Sequence, residues 1–335
     1  MMGATILGTV LGLMPLRRSL SNPYPTWWRW LTIVAVALTA IGGLLPPTAG
    51  TVTDAVIACR ADSSAVVPVL LTPLGDGAWA DARDSRVVVV VDGVSGKPVN
   101  ATWSTAIIEL KRGANDQSFL GVRVVSHDPM ITMPYIPGLA ERGRIIFFHV
   151  PMSWVATIAY LIAMIYGIQY LRTRNLDNDR MSMALASVAT LYGVLATVTG
   201  AVWARFNWGM FWNWDPKQTA IFLVLLIYGA YFLLRSSIDD EEKRARLSAV
   251  YSILGFISVP FLFFILPRMM PGLHPGSSDD TSAGPLLSLK SDALNTTKQW
   301  MFGLSLFSFT MLYFWLTNIR IRIAKLTDLA TSTKQ

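Results

Sequence analysis

Trp208-Gly209-Met210-Phe211-Trp212-Asn213-Trp214-Asp215 places three tryptophans, a phenylalanine and a glycine in eight residues and closes them with a carboxylate. Pro216 follows and disfavours the α conformation at Asp215, so the stretch is expected to end in a turn before the next helix. Read alone, it is a short amphipathic platform at a membrane surface. That reading needs spans on either side, and the sequence supplies them.

The chain of 335 residues is 53% hydrophobic and only 15% charged, with mean hydropathy +0.45. Soluble domains carry about 25% charged residues, so the deficit, with 12 Trp and 14 Met, indicates an integral membrane protein. The net charge of +7 reads as a topology signal and as affinity for membrane lipid; no nucleic-acid partner is expected. Cys59 is the only cysteine, which excludes an internal disulfide or a Cys-x-x-Cys motif. It reads as a small apolar residue.

Outward from the platform, apolar runs long enough to cross a bilayer lie at Ile145–Leu171, Met181–Trp203, Thr219–Leu234, Leu247–Leu266 and Trp300–Ile319. A sixth, Trp28–Leu45, opens with interfacial tryptophans and stops at Pro46-Pro47. Backbone polar groups in hydrocarbon need internal partners, so these runs are expected to be helices. The earlier stretch Ala4–Leu16 is too short to span and is followed, not preceded, by Arg17 and Arg18. It reads as an interfacial segment or, equally, as the result of a wrongly assigned start, rather than as a cleavable signal peptide.

Residues 51–143 differ in kind. Short β-branched runs at Val66–Leu71, Arg86–Val91, Thr105–Leu110 and Leu120–Val125 are separated by turn signals such as Asp92-Gly93 and Ser95-Gly96-Lys97-Pro98. The expected fold class is therefore an all-α polytopic membrane protein with six transmembrane helices and an inserted small β-rich extracytoplasmic domain. The expected divisions are an N-terminal cytoplasmic segment (1–26), a first span (27–46), the insert (51–143), a five-helix core (144–320) and a cytoplasmic tail (321–335). The core includes the tryptophan loop (204–218) and a later histidine loop (267–298).

With a cytoplasmic N-terminus, 14 lysines and arginines fall in the inner connections and 7 in the outer ones, leaving aside the insert. The positive-inside rule thus favours both termini in the cytoplasm. Three unusual features then share the outer side: His149 at the start of the second span, the tryptophan platform after the third, and His274 after the fifth. Two neutral imidazoles and a bed of indole rings suit a flat apolar macrocycle with an iron centre, that is, haem. Arg144, Arg205 and Lys217 are candidate partners for its two propionates. Asp215 is better placed to orient a ring N–H than to touch iron. His127 reads as a surface residue in a turn beside Asp128-Pro129. The acidic run Asp239–Glu242 reads as a solvated loop facing Lys243, Arg244 and Arg246. Asn100-Ala101-Thr102 fits a glycosylation pattern too common to use.

Trp208-Gly209-x-x-Trp212-x-Trp214-Asp215 resembles the tryptophan-rich WWD signature of the haem-handling proteins of cytochrome c biogenesis. His149-Val150-Pro151 and His274-Pro275-Gly276 resemble the two histidine motifs of the CcmC-type family within that superfamily. The likeness covers about residues 144–320 and the first span. It implies haem b held at the outer face of the cytoplasmic (inner) membrane, with His149 and His274 as axial ligands. Trp208, Gly209, Trp212, Trp214 and Asp215 would lie against the ring. It also implies delivery to a periplasmic haem chaperone of the CcmE type, alongside ATP-binding transporter subunits and a small membrane peptide. In this picture the chain is an assembly factor more than a turnover enzyme, and no residue is catalytic.

Two departures stand out. The insert is not part of the family's compact six-span pattern. And Trp214-Asp215-Pro216-Lys217 is equally similar to the branch of cytochrome c synthetases, which ligate haem directly to apocytochrome c; six spans and only three histidines argue against that branch. A plain transporter would need polar residues near the midplane, where the spans offer little beyond Thr197 and Thr199.

Overall fold

The computed structural model describes residues 22–44, 65–75, 78–81, 84–90, 104–112, 118–127, 141–274, 276–278 and 296–332. The segment Ala4–Leu16, Cys59, the turns at 92–98, Asn100, Asp128-Pro129, Pro275, most of the later histidine loop and the last three residues lie outside them. The chain divides into two compact units, residues 1–42 with 145–335, and residues 43–144.

The first unit is a helical bundle. Helix α1 (Thr26–Leu44) carries Thr32 and Thr39, whose hydroxyls donate to the carbonyls of Trp28 and Ala35 at 2.9 Å and so satisfy themselves within an apolar helix. A 3₁₀ turn, Glu141–Phe147, leads into α2 (His149–Thr173). Arg174, at φ 56°, ends that helix and returns its N–H to the Tyr170 carbonyl. The next helix, α3 (Leu176–Trp208), starts on Asn175, whose side chain accepts from the Asp177 N–H, and ends at Gly209, at φ 82°. Asp215 then caps α4 (Pro216–Ser236), with Pro216 in the first turn, where no backbone N–H is needed. Asp240 caps α5 (Glu241–Pro260). Pro260 interrupts the hydrogen-bond ladder, and a π turn, Phe261–Ile265, precedes a last turn, Leu266–Met269. Finally α6 runs from Thr296 to Ser332.

Among the described residues, six helices are long and apolar enough to cross a membrane. Their ends differ from the sequence expectation in places: α4 begins at Pro216 rather than Thr219, and α6 continues past Ile319 to Ser332. Trp208, the first residue of the platform, ends α3, and residues 209–215 form an irregular connection to α4.

Helices α2 and α3 approach closely because Ala156, Ala159, Ala163, Ala184, Ala186 and Ala189 are small and fully buried between neighbours. Ser182 on α3 donates to the Ala163 carbonyl on α2 at 2.8 Å. Buried tyrosines tie the bundle together through their hydroxyls: Tyr192 donates to the Phe309 carbonyl and Tyr313 to the Leu185 carbonyl, both at 2.9 Å. Tyr160 stacks on Tyr228 at 3.6 Å and bonds Thr190. The hydroxyls of Tyr160, Tyr192 and Tyr313 thus exchange water for a protein partner, as burial requires.

The second unit corrects the expected fold class. An all-α class covers the helical unit alone and fails for the chain. Residues 43–144 form a compact unit of their own, in which β1 (Ala65–Gly75), β2 (Ala78–Asp81), β3 (Asp84–Val90), β4 (Ser104–Arg112) and β5 (Ser118–His127) close into a barrel in the order β1-β2-β3-β5-β4. All pairs are antiparallel except β3 with β5. This is a five-stranded closed sheet, so the chain as a whole is not all-α. Four strands overlap the β-branched runs. The fifth, β2, is four residues with two alanines, too short and weak in β propensity to stand out locally. His127, expected in a turn, ends β5 in register with Ala106.

Candidate functional site

Asp215 is the hub of one end of the helical unit. As the residue before Pro216 it is held extended, at φ −54° and ψ 145°, so its carboxylate turns back over the start of α4. Its Oδ1 accepts from the Lys217 N–H at 2.9 Å and from Nδ1 of His274 at 2.6 Å; its Oδ2 accepts from the Leu273 N–H at 2.6 Å. Burial opposes the charge on Asp215. The hydrogen bond and charge of His274, with the two backbone N–H groups, outweigh it and hold the carboxyl at about 2, below its ordinary 3.8. Gly272 makes room for this arrangement: a Cβ there would lie 2.9 Å from Oδ2 and 3.1 Å from Pro216. Ser277 closes the turn around His274 by donating to the carbonyls of Gly272 and His274.

His149 opens α2 and packs on α3. Its Nδ1 lies 2.8 Å from the Ala196 carbonyl, and only an N–H can make that bond. Thr199 Oγ1 is 3.3 Å from the same nitrogen while its own hydroxyl donates to Leu195. The ring packs against Gly200, where a Cβ would come within 2.8 Å of Cε1. The two histidines thus share one chemical state when neutral: Nδ1 carries the proton and is anchored, and the lone pair is on Nε2. This is how proteins present imidazole to a metal. His149 lies within electrostatic range of His274 and Lys217.

The aromatic residues fall into two groups. Trp208 meets the His274 ring edge-on at 4.7 Å, and Trp203 lies 5.0 Å from Trp208 and 6.5 Å from His274. Trp212, Trp214 and Phe222 form a separate cluster with centroid separations of 5.8 to 6.5 Å. Trp214 is 69% exposed and sits at φ 55°, a conformation costly for a bulky residue.

Of the remaining expected site residues, Gly209 terminates α3 and its carbonyl accepts from the Arg205 guanidinium, which also lies 6.0 Å from the Phe211 ring. Lys217 contributes its backbone N–H to Asp215. Arg144 belongs to the other unit and donates to the Gly43 carbonyl. His149, His274, Asp215, Trp208 and Gly209 are thereby brought to one end of the bundle. Trp212 and Trp214 flank that end.

Sequence reading missed Trp203, Gly200, Gly272 and the Ala196 carbonyl. Gly200 and Trp203 sat inside an apolar run and read as filler of a span. The usable signal was the polar and small cluster Thr197-Val198-Thr199-Gly200, set about two turns before the platform. Gln218 was missed too; its Oε1 accepts from the Asn213 N–H at 2.8 Å and braces the platform against α4.

The family model for heme exporter protein C matches residues 131–334, more than half of the chain. The heme exporter protein C of Bradyrhizobium diazoefficiens is 31% identical over 121 residues, covering 36% of this chain and 46% of that protein. That of Rhodobacter capsulatus is 27% identical over 192 residues, covering 56% and 76%. The cytochrome c biogenesis protein CcsA of Fagopyrum esculentum is 31% identical over 115 residues, covering 34% of each. The chain spans about half the length of the first curated relatives it matches. With six apolar helices among its described residues it is a multi-pass membrane protein. By the extent of the family match, this chain belongs to the heme exporter protein C family.

Proposed function

We propose that the chain binds haem b at the outer face of the cytoplasmic membrane and delivers it to a periplasmic haem chaperone during cytochrome c maturation. His149 and His274 are the axial ligands, and Trp208, Gly209, Trp212, Trp214 and Asp215 line the ring. Both termini are cytoplasmic, and the chain works with ATP-binding transporter subunits and a small membrane peptide. The observation that carries this reading is the pair of anchored imidazoles: Nδ1 of His274 on Asp215 and Nδ1 of His149 on Ala196, each leaving Nε2 for iron. The residues fit the cargo, since neutral imidazoles, edge-on indoles and an exposed aromatic shelf are the contacts a broad apolar macrocycle takes. Arg144, Arg205 and Lys217 are the candidate partners for the propionates.

The test is haem content. His149→Ala and His274→Ala should each lower haem retention at near-normal expression. Unchanged haem in both variants would remove the axial-ligand assignment. A second reading, direct ligation of haem to apocytochrome c, draws on the similarity to the CcsA protein. It predicts haem-loaded cytochrome c in a membrane reconstituted with this chain and apocytochrome but no chaperone.

A further inference from the structure

We propose that one face of α3, formed by Ala196, Gly200 and Trp203, is the spacer that fixes both histidines, with Gly200 and Trp203 as positioning residues. The inference rests on the haem-binding reading above. Residues i, i+4 and i+7 share one helix face, so these three stack along α3 over two turns. His149 occupies the lower turn: its Nδ1 bonds the Ala196 carbonyl, and its ring lies on the bare Cα of Gly200. His274 meets the upper turn through Trp203 and Trp208. His274 itself is carried by an irregular segment after α5, and His149 by the first turn of α2. Neither of those elements fixes the separation of the rings. A helix does, because its rise per residue is set by its own hydrogen bonds. Gly200 is specific to this role. Its backbone is ordinary helix, and what forbids a side chain there is the imidazole.

The test uses the purified full-length chain in detergent, titrated with haemin. Gly200→Ala should weaken haem binding about tenfold, the scale of losses at groups that support a metal ligand. It should also convert part of the ferric low-spin spectrum to high-spin, and introducing it into the His149→Ala variant should cause little further loss, because both act on one ligand. Trp203→Ala should behave likewise with His274→Ala, while Trp203→Phe restores the spectrum. Gly193→Ala, on the same helix but against Leu225, should leave the spectrum intact and so controls for damage to α3. If Gly200→Ala does not fold, the Trp203 set decides. Wild-type spectra in Gly200→Ala and Trp203→Ala, with both histidines still required, would overturn the spacer alone. A wild-type chain that takes up no haemin would overturn the haem-binding reading and the spacer with it.

Discussion

The two ends of the helical unit use a buried carboxylate in opposite ways. At one end Asp179 on α3 meets Arg235 on α4 fork to fork, at 2.7 and 2.8 Å, with side chains 6% and 12% exposed. Both oxygens are spent on a single cation. Arg180 pairs with Asp177 and Glu241 nearby, and Lys325 with Asp177. At the other end Asp215 takes two backbone N–H groups and one imidazole N–H. The first arrangement is closed and fastens helices. The second ends in a ring whose remaining nitrogen has a lone pair, so the carboxylate acts through His274 on whatever that nitrogen binds.

Substitutions should separate these roles. The largest effect is expected at the closed end. Arg235→Ala strands a buried carboxylate and should cost about 3–5 kcal/mol of stability, read as a lower unfolding temperature in detergent. Haem bound per folded molecule should not change, and a fall there would tie the two ends together. Asp215→Asn should do the reverse. Its side-chain oxygen can still cap α4, but the amide cannot accept from the Leu273 N–H and the ring loses its anionic partner, so haem affinity should drop about 10–100-fold with a smaller fall in unfolding temperature than Arg235→Ala gives.

The pH dependence sharpens the same contrast. The Asp215 carboxyl is depressed from 3.8 to about 2, so its contribution is complete above about 4 and is lost only as pH falls through 2. Haem affinity of the wild type should therefore show no inflection from Asp215 between pH 4 and 6. An inflection in that window that vanishes in Asp215→Asn would contradict the assignment. The smallest effect is expected at Gly272→Ala, which pushes a methyl toward Oδ2 and should cost about 1 kcal/mol of haem binding.

Much of the helical unit was legible because hydrocarbon leaves a spanning chain no alternative to helices. His149, Asp215 and His274 stood out for the same reason, as ionisable groups beside apolar runs. Other features depend on partners distant in sequence. Gly200 is an unremarkable residue in a span until His149 lies on it. Arg235 counted only as a topology signal, and its pairing with Asp179 required two helices to be aligned. The barrel rests on pairing β3 in parallel with β5, a register that local alternation does not encode. The strained backbone of Trp214 had no signal of its own, since Trp is rarely the residue chosen for a left-handed turn.

The most direct measurement is the optical spectrum of the detergent-purified chain, oxidised and reduced, beside the His149→Ala/His274→Ala double variant. The account predicts a low-spin bis-histidine haem spectrum in the wild type and its loss in the variant. A wild type that neither contains haem nor takes it up, or a variant with an unchanged spectrum, would contradict it.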